Sequence, residues 1–204
     1  MTPARRNEVL VAIGGGALLA GTWIPAAGGA VPAWEAHVFH WVNDLPNGLW
    51  PFVRVPMQLG SFAGSLAVVV VTGIATRDRR LVGATLAASQ AAYWGAKVVK
   101  ELVGRARPAA LLPGVHLHES AGGVGYLSGH TAVAAALATA LFPSLPVVGK
   151  VVAVVLATLV AFARIYSGAH LPLDVIGGAG LGIVCGVAAR RAFAVAYTSP
   201  RRCS

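Results

Sequence analysis

Six apolar runs joined by short polar connections constrain this chain more than any other feature. A helix needs about 20 apolar residues to cross the hydrocarbon core of a bilayer. Runs of that order fall at roughly Val9–Ala30, Leu49–Ala75, Leu81–Val99, Ser128–Leu145, Val147–Ile165 and Leu171–Ala189. The expected fold is therefore all-α, a six-transmembrane-helix bundle that occupies residues 1–204 as a single membrane-embedded domain. Only 11% of the residues are charged, against about 25% in soluble domains, and the shortage runs along the whole chain. The second run is the least clean, because Pro51, Arg54 and Pro56 sit near its start and its firmly apolar part begins near Leu59. The first run follows Arg5 and Arg6 as the core of a signal peptide would, but it is longer than such a core and reads as a helix that stays in place.

The segment Ala33–Asn43 is too short to span. Trp34, Val38, Trp41 and Val42 recur at helical spacing and make one apolar face. Two readings fit it: a short helix lying in the membrane interface with its tryptophans at headgroup depth, or an amphipathic loop helix packed on the bundle.

The formal net charge is +9. The basic residues lie between apolar runs rather than along a polar, aromatic-rich stretch, so nucleic acid is not the expected partner; membrane orientation and an anionic ligand account for the charge better. One set of connections carries Arg5, Arg6, Arg77, Arg79, Arg80, Lys150, Arg190, Arg191, Arg201 and Arg202, and the other carries Arg54, Lys97, Lys100, Arg105, Arg107 and Arg164. The richer set marks the cytoplasmic side. Both termini are expected there, with Gly104–Leu127 and Ile165–His170 on the outer face. Lys97 and Arg54 read as snorkelling side chains. Cys185, in an apolar run, and Cys203, in the tail, give neither a disulfide framework nor zinc spacing. Gly178, Gly182 and Gly186 repeat every fourth residue in the last run, a pattern that lets another helix approach closely.

Four of the outer cations gather in two short segments. Lys100-Glu-Leu-Val-Gly-Arg-Ala-Arg107-Pro108 ends the third run, and Arg164 precedes His170 and Asp174 between the fifth and sixth; Leu127-Ser128-Gly129-His130 opens the fourth. Lys100, Arg107 and Arg164 together suit a phosphate dianion, since arginine forks match two phosphate oxygens at once and positioned cations are the main device of phosphoryl transfer. Ser128 can cap the fourth helix, leaving the N–H groups of Gly129 and His130 free for an anion. Pro172 fits a first helical turn, which brings Asp174 back towards His170. A carboxylate on one ring nitrogen fixes the tautomer and leaves the other nitrogen free to attack; His130 would supply the acid and base. His116-Leu-His118-Glu119 looks at first like a metal set, but nothing else completes it, and a solvated loop near the headgroup is the expected role. Arg105 is assigned either to a second phosphate or to the surface.

The three segments resemble the signature of the type 2 phosphatidic acid phosphatase superfamily: K-x6-R-P, then P-S-G-H, then S-R-x5-H-x3-D. Lys100 to Arg107-Pro108 matches the first part. Ser128-Gly129-His130 matches the second, with Leu127 for proline, and Arg164, His170 and Asp174 match the third, with Ala163 for serine. The resemblance implies a six-helix membrane enzyme with no metal and no cofactor. It implies that His170 attacks phosphorus to form a phosphohistidine, Asp174 orients it, His130 is general acid and base, and Lys100, Arg107, Ser128, Gly129 and Arg164 hold the phosphate. The expected substrate is a lipid phosphate, a polyprenyl carrier mono- or pyrophosphate first, hydrolysed on the outer face of a bacterial inner or plasma membrane. A glycerophospholipid phosphatase (phosphatidylglycerol phosphate or phosphatidic acid) and a lipid phosphotransferase are the enzyme alternatives. A transporter or scaffold on a degenerate phosphatase frame is the non-enzyme one. Oligomeric state is left open.

Overall fold

A computed structural model describes residues 3–193; Arg201, Arg202 and Cys203 lie outside the described residues. Every regular element among the described residues is helical, and the α-helices follow in the order α1 (Pro3–Ala27), α2 (Ala33–Asn43), α3 (Trp50–Met57), α4 (Phe62–Thr76), α5 (Arg79–Val103), α6 (Pro108–Leu111), α7 (Gly129–Leu141), α8 (Val147–Tyr166) and α9 (Pro172–Ala192).

Local chemistry sets the boundaries that matter for the site. Asp78 caps α5, its Oδ1 accepting from the N–H of Arg80 at 2.9 Å and of Leu81 at 3.2 Å. Gly104, at φ 65°, ends that helix with its N–H on the Lys100 carbonyl. Lys100 therefore stands in the last turn of α5, and Arg105 and Arg107 are released into a loop. Ser128 caps α7, Gly168 turns the chain after α8 at φ 74°, and Pro172 opens α9.

Length and apolar character suffice for spanning in three helices, α1, α8 and α9, and in a fourth if the broken pair α3 and α4 counts as one. This is fewer than the six runs predict, and each difference has a physical reason. The second run is not one helix: its two halves meet at 69°, because Pro56 precedes a 3-10 turn over Gln58–Gly60 and Ser61 starts a new helix by capping Gly64. The third run is long enough, at 25 residues, but Ser89, Gln90, Lys97 and Lys100 dilute its apolar content. The fourth yields 13 helical residues before a 3-10 turn at Phe142–Ser144, about 20 Å of helix. Its residues Thr131–Leu137 are all buried, so neighbouring helices rather than lipid set what it must satisfy.

The main core lies between α1, α5, α7 and α9 and is built of small residues: Ala88, Ala92 and Ala96 of α5 against Ala132, Ala136 and Ala140 of α7. Without a hydrophobic drive between helices in lipid, close backbone approach has to hold them together. A Cβ on Gly178 would stand 2.5 Å from the Ser128 carbonyl, and one on Gly186 2.6 Å from the Thr139 Cβ. A second core, of Phe39, Val42, Met57, Ile165, Tyr166, Leu171 and Val175, lies under α2 and α3. Leu10, Ile13, Val70, Val71, Ile74, Val147, Val148 and Val151 face outward, as lipid-facing side chains do. The protein is an integral membrane protein.

The α2 segment packs on the bundle, the second of the two readings, and Val42 turns inward rather than lying on the tryptophan face. Trp34, Val38 and Trp41 are exposed, while Glu35, Phe39, Val42 and Asn43 are buried against the bundle.

Gly178→Ala should lower the melting temperature in detergent, at a cost of about 1–3 kcal/mol for overpacking, because backbone must shift at the start of α7. Gly14→Ala, with nothing within 4 Å of its Cβ position, should leave it unchanged or raise it slightly. Equal melting of the two variants would contradict the close-packing account.

Candidate active site

Four helix ends converge: the last turn of α5 with Lys100, the first of α7 with Ser128, Gly129 and His130, the last of α8 with Arg164, and the first of α9 with Asp174. His170 lies between α8 and α9. The backbone ties the ends directly, since the Ser128 N–H donates to the Asp174 carbonyl at 2.9 Å and the His170 N–H to the Arg164 carbonyl at 3.1 Å.

His170 Nδ1 stands 3.3 Å from Asp174 Oδ2, and the same oxygen accepts the Leu171 N–H at 2.9 Å. With Nδ1 turned to the carboxylate, Nε2 is the nitrogen left for chemistry. His170 is 2% exposed and Asp174 wholly buried. Burial first, then the charges of Lys100, Arg164 and Arg107 and the nearby His130, hold the His170 pKa well below the usual histidine value. The imidazole therefore stays neutral at neutral pH.

The cations surround it. Lys100 Nζ donates to the carbonyls of Val124 and Gly125 at 3.0 and 2.8 Å. Arg107 reaches the Gly122 carbonyl through Nε and the Ala169 carbonyl through Nη1, each at 2.8 Å, so it links the loop before α7 to the residue beside His170. Arg164 holds the Glu119 carboxylate and lies 3.5 Å from the Met57 sulfur. Burial first, and the like charge of Arg164 second, lower the Arg107 pKa from its ordinary value. The repulsion among these cations, offset in part by Asp174 and Glu119, is the field a phosphate would meet. Ser128 Oγ accepts from the N–H and the hydroxyl of Thr131 at 3.4 and 3.0 Å. A Cβ on Gly125 would lie 2.8 Å from the Ala106 carbonyl and 3.3 Å from Asp174 Oδ2, so only glycine lets this loop press against the carboxylate. The structure thus gathers all eight candidate residues at one end of the bundle.

The His116–Glu119 segment disperses. His116 Nε2 lies 3.7 Å from Asp44, His118 stacks on Tyr166 with centroids 4.4 Å apart, and Glu119 goes to Arg164. Among the described residues no three His, Cys, Asp or Glu side chains converge on one point. Lys97 lies over the rings of Tyr93 and Trp94 at 4.8 and 4.6 Å.

Arg105 is a correction: it lies neither at the surface nor beside the other cations. Its side chain is fully buried, with Nη2 2.6 Å from Glu35 Oε2, and Nη1 3.0 Å from Glu35 Oε1 and 3.1 Å from Asp174 Oδ1. Glu35 Oε1 also accepts the Leu173 N–H at 3.0 Å. Nothing in the spacing of Ala33–Asn43 marks Glu35. The available signal was an acidic residue on the side of a short helix away from its tryptophans, facing a cation with no assigned partner.

The model of the PAP2 superfamily matches residues 80–197, more than half of the chain. No curated protein matches. Two solved structures share the fold. The LpxE crystal structure from Aquifex aeolicus is 28% identical, with a TM-score of 0.73 over 78% of this chain and 96% of that one. A transmembrane PAP2 type phosphatidylglycerolphosphate phosphatase from Bacillus subtilis is 22% identical, with a TM-score of 0.71 over 87% and 94%. With the three motif segments gathered at one end of a membrane bundle and the family model running through all of them, the chain belongs to the PAP2 superfamily, the type 2 phosphatidic acid phosphatases.

Proposed function

We propose that this protein hydrolyses a phosphomonoester or pyrophosphate of a lipid through a phosphohistidine, with a polyprenyl carrier lipid as substrate. The observation that carries the reading is the His170–Asp174 pair set among Lys100, Arg107, Arg164 and His130. His170 Nε2 attacks phosphorus, the P–O bond to the leaving oxygen breaks, and His130 gives that oxygen its proton. The Nδ1 proton remains on His170, facing Asp174, so the phosphorylated ring carries a positive charge beside a carboxylate. His130, now basic, then takes a proton from water as the oxygen attacks phosphorus, and phosphate leaves with His170 restored. Lys100, Arg107 and Arg164, with the N–H groups at the start of α7, bind the phosphoryl oxygens.

Six membrane-crossing segments carry this single domain across the membrane, with the site on the extracytoplasmic face and both termini inside. Charge placement supports the orientation: Arg79, Arg80, Lys150, Arg190 and Arg191 lie at the helix ends remote from the site. An apolar crevice of about 100 Å³ between α4, α7 and α8, lined by Leu59, Val68, Leu137, Leu141, Leu156 and Val160, supports sideways access for a lipid tail. Only the four-residue α6 interrupts the connection between α5 and α7, which favours a small headgroup.

Phosphate release from polyprenyl pyrophosphate, polyprenyl monophosphate, phosphatidic acid and phosphatidylglycerol phosphate, in detergent with chelator, tests the reading. Polyprenyl substrates should turn over fastest, and His170→Ala should lose at least about 10³-fold while remaining folded. Folded wild-type protein that releases nothing from any of these lipids would refute hydrolysis of this class.

Because the His170 pKa is depressed, lowering the pH past 6.5 should not protonate it. With an aryl phosphate, whose leaving group needs no proton, the acid limb of kcat/KM should fall well below pH 6.5. A midpoint at or above 6.5 would place His170 in water rather than in this site.

Glu119 occupies with its own carboxylate the guanidinium that a phosphoryl group would use. Removing that competitor with Glu119→Gln should tighten inhibition by inorganic phosphate, by about tenfold for one charged hydrogen bond. An unchanged inhibition constant would mean that Arg164 does not meet the phosphate.

A further inference from the structure

Four ionisable side chains form one buried chain: Glu35 of α2, Arg105 of the loop after α5, Asp174 of α9 and His170. The side chains of Glu35, Arg105 and Asp174 are wholly shielded from solvent, and that of His170 is 3% exposed. Isolated charges are not tolerated at such depth; they persist only where each is paired and hydrogen-bonded. The pairing here is specific. Arg105 forks onto both oxygens of Glu35 and uses Nη1 a second time for Asp174 Oδ1. Burial opposes its charge, but the hydrogen bonds of Glu35 and the fields of both carboxylates more than offset it and raise its pKa above the ordinary value. Arg105 therefore supplies a fixed positive charge.

We infer that Glu35 and Arg105 are positioning residues for the nucleophile: the Glu35–Arg105 pair locks the Asp174 carboxylate, and through it the His170 ring, in the attacking orientation. The inference rests on the phosphohistidine reading given above. Two physical consequences carry it. The first is geometric. With Oδ1 tied to Arg105 and Oδ2 shared by the Leu171 N–H and His170 Nδ1, the carboxylate has no freedom to rotate away. Small errors in such orientation are costly in rate.

The second consequence is electrostatic. Two carboxylates and one guanidinium leave the chain with one net negative charge while His170 is neutral. The chain becomes neutral when His170 takes up phosphorus and turns cationic. The buried arrangement thus favours the charge that develops in the step. Without Glu35, Arg105 and Asp174 would already cancel and that bias would vanish. Without Arg105, two carboxylates would face each other unpaired.

Glu35 has a simpler structural use, since it accepts the Leu173 N–H in the first turn of α9. Glu35→Gln separates the two uses: the amide oxygen can still cap Leu173, but the charge is gone. Arg105→Lys keeps the charge and loses the fork. In both variants kcat on the best lipid of the panel should fall by about 10- to 100-fold, while KM stays within about twofold because the phosphate-binding cations are untouched. The burst of acid-quenched phosphoenzyme should slow in proportion, and Glu35→Gln should melt lower than wild type because buried Arg105 loses a charged partner, yet remain folded at the assay temperature. Wild-type kcat in folded Glu35→Gln overturns the inference alone, provided that His170→Ala is inactive beside it. A loss confined to KM, or one fully accounted for by the unfolded fraction at the assay temperature, overturns it as well. Should Arg105→Lys not assemble, the isosteric Glu35→Gln decides by itself. Folded wild-type protein with no turnover and no phosphoenzyme refutes the phosphatase reading and this inference together.

Discussion

A carboxylate that no water reaches, that of Asp174, ties the structure together. Its Oδ1 accepts from Arg105, and its Oδ2 faces His170 and takes the Leu171 N–H; its backbone carbonyl takes the N–H of Ser128. One residue thereby joins the loop after α5, the cap of α7, the turn after α8 and the start of α9, and through Arg105 it reaches α2. A buried charge that lost one of these partners would cost several kcal/mol. The helix ends are therefore bound to one another by electrostatic necessity as well as by packing. In the proposed mechanism the same necessity orients the nucleophile.

Packing makes that junction reachable. In a bilayer a large apolar side chain gains nothing by leaving lipid for a neighbouring helix, so the bundle centre relies on close contact between small residues. The alanines of α5 and α7 and the glycines of α9 fill it. Gly178 lies against the Ser128 carbonyl, one turn into α9 from the Asp174 carbonyl that meets the Ser128 N–H. The glycine repeat read from the sequence as packing is thus the device that sets two motif segments side by side.

The parts of the fold visible in the sequence are those governed by local rules. Apolar runs located α1, α8 and α9, and Ser128, Pro172 and the spacing of His170 to Asp174 carried their own helix-end chemistry. The break at Gln58–Gly60 was signalled by Pro56 but not its angle, since a bend of 69° depends on what α4 packs against. Shielding of α7 was also invisible, because hydropathy reports what a helix would show to lipid and this one shows it little. Glu35 and Arg105 lie 70 residues apart. Neither has a spacing that implies the other, so only the fold could pair them.

The α2 helix shows why such a pairing escapes a periodicity argument. Its tryptophan face, exposed at Trp34 and Trp41, is what a hydropathy pattern detects, and it points to the membrane interface. Its opposite face carries Glu35 into the ion chain and Asn43 onto the loop, where the Asn43 amide donates to the carbonyls of His116 and Tyr166 at 2.8 and 2.9 Å and its Oδ1 accepts the His116 N–H at 2.8 Å. These contacts fix the loop that brings Glu119 onto Arg164 and the turn that brings Tyr166 towards His170. On the proposed reading, a helix with an exposed tryptophan face and an opposite face bonded to the support of the nucleophile sets the depth of the site in the membrane. An enzyme whose substrate keeps its phosphate at headgroup level and its tail in lipid needs that depth fixed, and under the same reading α2 supplies it without adding a further span.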